Sequence, residues 1–224
     1  MQTEPLRTPN VGSAVAQTIS TNKVIRNTYL LLSMTLAFSA VMALVALLTG
    51  AKPVHWLLML LVFIGGPFVI NAVRNSVWSL PLTFLFTGFM GYVLGPIVGF
   101  YLSVPNGPEI VMSALGTTAV MFVALSGYAL VTRKDFSFLG GFVFVGFLVI
   151  LAAIIANIFL QIPALSLAIS AAAVLLVSAA ILFDTSRMVH DGETNYVMMT
   201  VSLYANIYVM FVHLLSLFYA LMGE

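Results

Sequence analysis

The residues AAILFDTSRMVHDGETNYVMMTVSLYANIYVMFVHLLS, 179–216, join two apolar runs through a short charged turn, and their reading decides the fold. Upstream of the turn, residues 164–183 carry no charge, and Asp184 closes the run. About twenty apolar residues is the length that crosses a bilayer. Asp184 is thus a carboxylate set beside hydrocarbon and the candidate titrating group of the chain. Downstream, Ser202, Asn206, Val209, His213 and Ser216 recur at steps of three or four. A helix carries such positions on one face, and a polar face on an apolar helix is expected to look into a bundle. Asp184, Asn206 and His213 form the candidate polar, pH-sensing site. The alternative is an interfacial acid and a stripe that serves only helix packing.

Composition extends this reading to the whole chain. Of 224 residues, 62% are hydrophobic and 7% charged, with a mean hydropathy of +1.13, whereas soluble domains carry roughly a quarter charged residues. The expected class is an all-α polytopic membrane protein. Seven spans are expected, at residues 29–48, 54–73, 80–102, 110–131, 139–160, 164–183 and 197–222. The breaks fall at Gly50 with Pro53, Asn75 with Pro81, the Pro105–Pro108 run, Arg133-Lys134-Asp135, Gln161-Ile162-Pro163 and Asp191-Gly192. Such short loops predict that consecutive helices are antiparallel neighbours. Residues 1–27 are polar, with Pro5, Pro9 and Gly12, and are expected to form a disordered or weakly helical cytoplasmic tail before a membrane domain at 28–224. No cleaved signal peptide is expected, because the first apolar run is long and lacks a small-x-small exit.

Charge sets the expected orientation. Arg7, Lys23, Arg26, Arg74, Arg133, Lys134 and Arg187 fall on one side of these spans and only Lys52 on the other. The positive-inside rule then puts the N-terminus in the cytoplasm and, with seven spans, the C-terminus opposite. A net charge of +1 leaves no basic face for nucleic acid. With no cysteine, disulfides, thiol nucleophiles and thiolate metal sites are excluded.

In the third span, Gly88, Gly91, Gly95 and Gly99 strip one helix face of side chains, which predicts close helix approach and a central position. Pro96 in that span and Gly65-Gly66-Pro67 in the second are expected to bend their helices. No metalloprotease, nucleophile-elbow, phosphate-loop or dinucleotide motif occurs. An aspartyl dyad would need two acids near a span, and only Asp184 qualifies. His55, His190 and His213 are scattered by depth. No enzyme activity, cofactor or metal site is expected.

Seven blocks in order resemble the Bax inhibitor-1 (transmembrane Bax-inhibitor-motif) family, in its bacterial, FtsH-associated branch. They are STNKVIRNTYLLLSMTLAFSA (20–40), FTGFMGYVLGPI (86–97), TRKDFSFLGG (132–141), ANIFLQIPALSLAISA (156–171), ILFDTS (181–186), GETNYV (192–197) and LYANIYVMFVHLLSL (203–217). The resemblance implies a seven-helix bundle in the bacterial inner membrane, with its sixth helix near the middle. It also implies a regulatory role: binding and inhibiting a membrane-anchored AAA protease of the FtsH type, with the N-terminal tail as the handle for degradation. The family's other feature is a pair of aspartates, on the sixth and seventh helices, that couple pH to a cation leak. The first matches Asp184, but Asn206 stands at the second acid's position. An amide can bond a carboxylate without sharing a titrating proton, so the alternative function, a pH-sensitive Ca²⁺ or H⁺ leak, is expected to be weakened. Whether Asp184 and Asn206 touch depends on the turn: centred on Asn195 they are level, and centred on Asp191 they differ in depth by about 10 Å.

Overall fold

The computed structural model describes residues 11–190 and 195–223, and these form seven helices. They are α1 (Val11–Leu48), α2 (Trp56–Ala72), α3 (Ser79–Leu102), α4 (Gly107–Thr132), α5 (Leu139–Leu160), α6 (Pro163–His190) and α7 (Tyr196–Met222). Helix α1 begins at Val11, so the part of the expected tail from 11 to 27 is continuous helix, and residues 1–10 lie outside the described residues. Six helices are long and apolar enough to cross a membrane. The chain is a membrane protein. The exception to the seven expected spans is α2, whose 17 residues extend about 26 Å at 1.5 Å each, short of a core of about 30 Å. Residues 51–55, which include Pro53, stay out of helix and shorten it at its start.

Local chemistry sets the boundaries. His55 caps α2, its Nδ1 accepting from the Leu57 backbone N–H at 3.3 Å. Asn195 caps α7 by accepting from Met198 N–H at 3.1 Å, and its amide donates to the Arg74 carbonyl at 3.1 Å. Arg133 and Gln161 end α4 and α5 in the left-handed region, at φ 49° and 51°, where a helix is commonly closed by glycine. Both α2, with Gly65-Gly66-Pro67, and α3, with Pro96, run as continuous helices.

Helix α1 lies on the glycine face of α3. A Cβ on Gly88 would sit 2.5 Å from the Phe38 ring, and one on Gly95 2.5 Å from the Ala46 Cβ and 2.7 Å from the Ala43 carbonyl oxygen. That close approach is what the glycine spacing predicts. It has a topological consequence: α3 pairs with α1, and α1 does not pack against α2. Nor does α4 pack against α5, so at these two loops the expected antiparallel neighbours are not in contact. The centre of the bundle is α7, which meets α1, α2, α3, α4 and α6; neither α3 nor α6 touches as many helices. Helix α5 packs on α6 alone and buries none of its residues.

Two apolar clusters flank α7. One joins Leu32, Ile70, Phe86, Met90 and Tyr204, and the other Ile110, Ile181, Met210 and Leu215. Most buried hydroxyls are bonded inside the bundle, as hydrocarbon surroundings favour, whereas those of Thr28 and Tyr208 find no partner among the described residues. Tyr204 donates to the Thr87 carbonyl at 3.1 Å and exchanges a 2.7 Å bond with Ser39. Tyr29 bonds Ser126, which in turn meets Thr185 at 3.3 Å. The Asn195–Arg74 bond, and another from Phe136 N–H to Ser186 Oγ at 2.9 Å, bring the loops bearing Arg74 and Arg133-Lys134 to the end of the bundle where α6 carries Arg187.

Candidate functional site

Asp184 lies two turns before the end of α6 and is 5% exposed. Ser202 and Asn206, four residues apart, share a face of α7. Ser202 Oγ donates to Asp184 Oδ2 at 2.5 Å, and Asn206 Nδ2 donates to the same oxygen at 2.8 Å. The turn therefore brings Asp184 and Asn206 into contact; the helix boundaries, His190 and Tyr196, centre it between the two positions considered from sequence. Bonds from neutral donors to a carboxylate are short and stronger than neutral pairs. This acid is a two-donor clamp between α6 and α7, and each donor is a side chain that can rotate away.

One turn further along α6, the Arg187 guanidinium lies 5.5 Å from the centroid of the Phe183 ring, within cation–π range. It is the nearest cation to Asp184 in sequence and extends the site toward the charged end of the bundle.

His213 belongs to a second place. Its Nδ1 meets Ser170 Oγ at 3.2 Å. Ser170 and Asp184 are fourteen residues apart on one helix, about 21 Å at 1.5 Å per residue. The polar stripe of α7 thus divides: Ser202 and Asn206 serve the acid, and His213 ties α7 to the opposite half of α6. The ring nitrogen role depends on the tautomer. Among the described residues, no three His, Asp or Glu side chains come together.

Sequence reasoning placed Ser202 on the stripe without assigning it to Asp184, and gave no sign of Ser170. The 202/206 spacing carried the first; nothing local distinguishes Ser170 from the other serines of α6. It also missed a cavity of ≈ 400 Å³ between α2, α5, α6 and α7 that Asn206 and His213 both line.

The family model described as "Inhibitor of apoptosis-promoting Bax1" matches residues 21–223. The chain belongs to that family. Among its members, the chain is 50% identical over 199 residues to the Escherichia coli K12 "Modulator of FtsH protease YccA", covering 89% of this chain and 90% of that one. The same identity and coverage hold for the "Inner membrane protein YccA" of E. coli O6:H1. An uncharacterised Pseudomonas aeruginosa protein is 48% identical over 208 residues, covering 93% of this chain and 94% of its own length. The names carried by the two E. coli relatives are those of a modulator and of an inner membrane protein, not of enzymes.

Proposed function

We propose that this Bax1-family protein resides in the bacterial inner membrane and binds and inhibits a membrane-anchored AAA protease of the FtsH type. The observation that carries the reading is the 50% identity, across nine-tenths of both chains, to a protein named for modulating FtsH. In this reading all seven helices cross the bilayer, the short α2 by local thinning of the membrane, with the N-terminus cytoplasmic and the C-terminus opposite, in keeping with the excess of Lys and Arg on one side. The protease grips the polar N-terminal segment and unwinds the start of α1, which is helical from Val11, as it pulls. The tightly packed pair of α1 and α3 then resists extraction and occupies the protease. The test is degradation of a membrane substrate by an FtsH-type protease in proteoliposomes, with and without this protein, and with a form lacking residues 2–20. Inhibition by the full chain and its loss on truncation are expected. Equal substrate turnover with and without the protein would overturn the reading, and unchanged inhibition by the truncated form would overturn the role of the N-terminal segment.

A second reading, a pH-sensitive cation leak, is weakened in the native chain by the 2.8 Å bond from Asn206 to Asp184, which puts an amide where a second acid would complete a pair. With one carboxylate the native chain supports little steep pH-dependent flux of Ca²⁺ or H⁺ in liposomes, and Asn206→Asp introduces some, because two adjacent carboxylates titrate as a coupled pair. Strong pH-gated flux in the native protein, abolished by Asp184→Asn, would move the assignment from protease regulator to channel.

A further inference from the structure

Helix α5 leaves a gap in the bundle wall. It packs on α6 alone, and α2, which meets only α3 and α7, makes no contact with it. Between them lies the ≈ 400 Å³ cavity, reaching from Trp56 past Phe147 and Ile154 to Asn206 and His213. A second cavity of ≈ 300 Å³ continues it toward Pro67, Phe68 and Ser202, and the two share Phe63, Ile64, Phe147 and Ala205. From Trp56 to Phe68 the groove follows twelve residues of α2, or about 18 Å. That is close to the depth of one leaflet, about half of a 30 Å core.

We infer that this groove is a binding site for one acyl chain of an anionic phospholipid, with its headgroup at the Trp56 end. Three observations converge on that occupant. The lining is mainly hydrocarbon and aromatic, with Ser202, Asn206 and His213 the polar exceptions, and a void against apolar walls destabilises a packed protein in proportion to its volume. The length suits an acyl chain, because the run from Trp56 to Phe68 matches the hydrocarbon depth of about one leaflet. The charge next in sequence to the Trp56 end fits an anion. Lys52, exposed and four residues before Trp56, is the one Lys or Arg in the segment between α1 and α2 and has no ion pair among the described residues. The acid Glu109 is on α4, which makes no contact with α2. Trp56, half-exposed at the start of α2, is the residue type that sits at the level of lipid headgroups. A chain threaded from there passes His213 and then Asn206 and Ser202, the latter two being the side chains that hold Asp184, so the lipid would bear on the α6–α7 contact.

The test is native mass spectrometry of the full-length protein stripped of lipid in detergent and titrated with phosphatidylglycerol or phosphatidylcholine of equal chain length. One tightly held phosphatidylglycerol is expected, preferred over phosphatidylcholine by about five-fold, the contribution of one lysine at a lipid surface. Lys52→Gln is expected to abolish the preference and keep the chain bound. Ala205→Phe, which fills the groove where the two cavities meet, is expected to lose the bound lipid altogether, and Ala180→Phe fills it from α6 should the first variant misfold. Inorganic phosphate added as competitor is expected not to displace the lipid. The inference fails if folded Ala205→Phe and Ala180→Phe proteins retain the lipid as the native one does, which would make it an annular lipid, or if the native protein binds the two headgroups equally.

Discussion

Replacing Gly91 by alanine should destabilise this protein, although alanine is the better helix former by about 1 kcal/mol. A Cβ built at Gly91 falls 2.7 Å from both the Cα and the Oγ of Ser39, and closer still to the Ser39 carbonyl oxygen. Carbon atoms settle at about 3.5–4.0 Å, and the obstructing atoms are mainly α1 backbone, which cannot rotate aside. Helix α1 must therefore retreat by about 1 Å, a strain typical of overpacked cores at about 1–3 kcal/mol. The same displacement pulls Ser39 from Tyr204, whose 2.7 Å bond is buried, adding about 1 kcal/mol. The net loss is about 1–3 kcal/mol after the gain in helix propensity, or roughly 2–12 °C in Tm for a domain of this size. Gly91→Leu should be worse. Gly127→Ala in α4 is the control, because a Cβ there meets nothing within 4 Å, so propensity alone acts and a gain of about 0.5–1 kcal/mol is expected. Thermal unfolding in one detergent, followed by a fluorescence or scattering signal, measures all three. If Gly91→Ala melts at or above the native temperature while Gly127→Ala behaves as stated, the α1–α3 approach is not as tight as described.

Ser202→Ala removes one of the two donors on Asp184 Oδ2 and should cost about 1.5–3 kcal/mol, the usual worth of a bond to a charged group. In an Asp184→Leu background the same change should cost far less, and equal costs in a double-mutant cycle would mean the two residues do not interact. Gln161→Gly should stabilise by about 1 kcal/mol, because Gln161 ends α5 at φ 51°, which glycine adopts without the Cβ penalty; a lower melting temperature would refute that. In the loop before α5, the Ser137 backbone N–H bonds Asp135 at 2.8 Å and holds its carboxyl below the usual carboxylate range. A depressed folded value contributes stability above the unfolded pKa and loses it as pH falls through the folded value. Carbon-detected NMR should find Asp135 titrating below an unstructured aspartate, and titration at or above it would contradict the bond.

How much of this could be read from the chain follows from the range of each signal. Hydropathy and short polar breaks are local, so six long apolar helices were legible, as was the membrane class. Glycine spacing on 88–99 announced a close approach but not its partner, and it was the fit of Ser39, Ala43 and Ala46 against that face that drew α1 to α3 and separated it from α2. Helix α2 was drawn as a full span because its composition is apolar, whereas its length was decided by where residues 51–55 leave the helix. The periodic stripe on α7 put Ser202, Asn206 and His213 on one face. It could not say that the first two would reach Asp184 and the third Ser170, since that depends on the rotation of α6 against α7. Periodicity is a property of one helix and was written in the sequence. The contact between Asp184 and Asn206, the central place of α7 and the lipid-sized groove beside α5 belong to pairs of helices, and only the tertiary packing, which fixes how far each is turned and how closely it approaches, decided them.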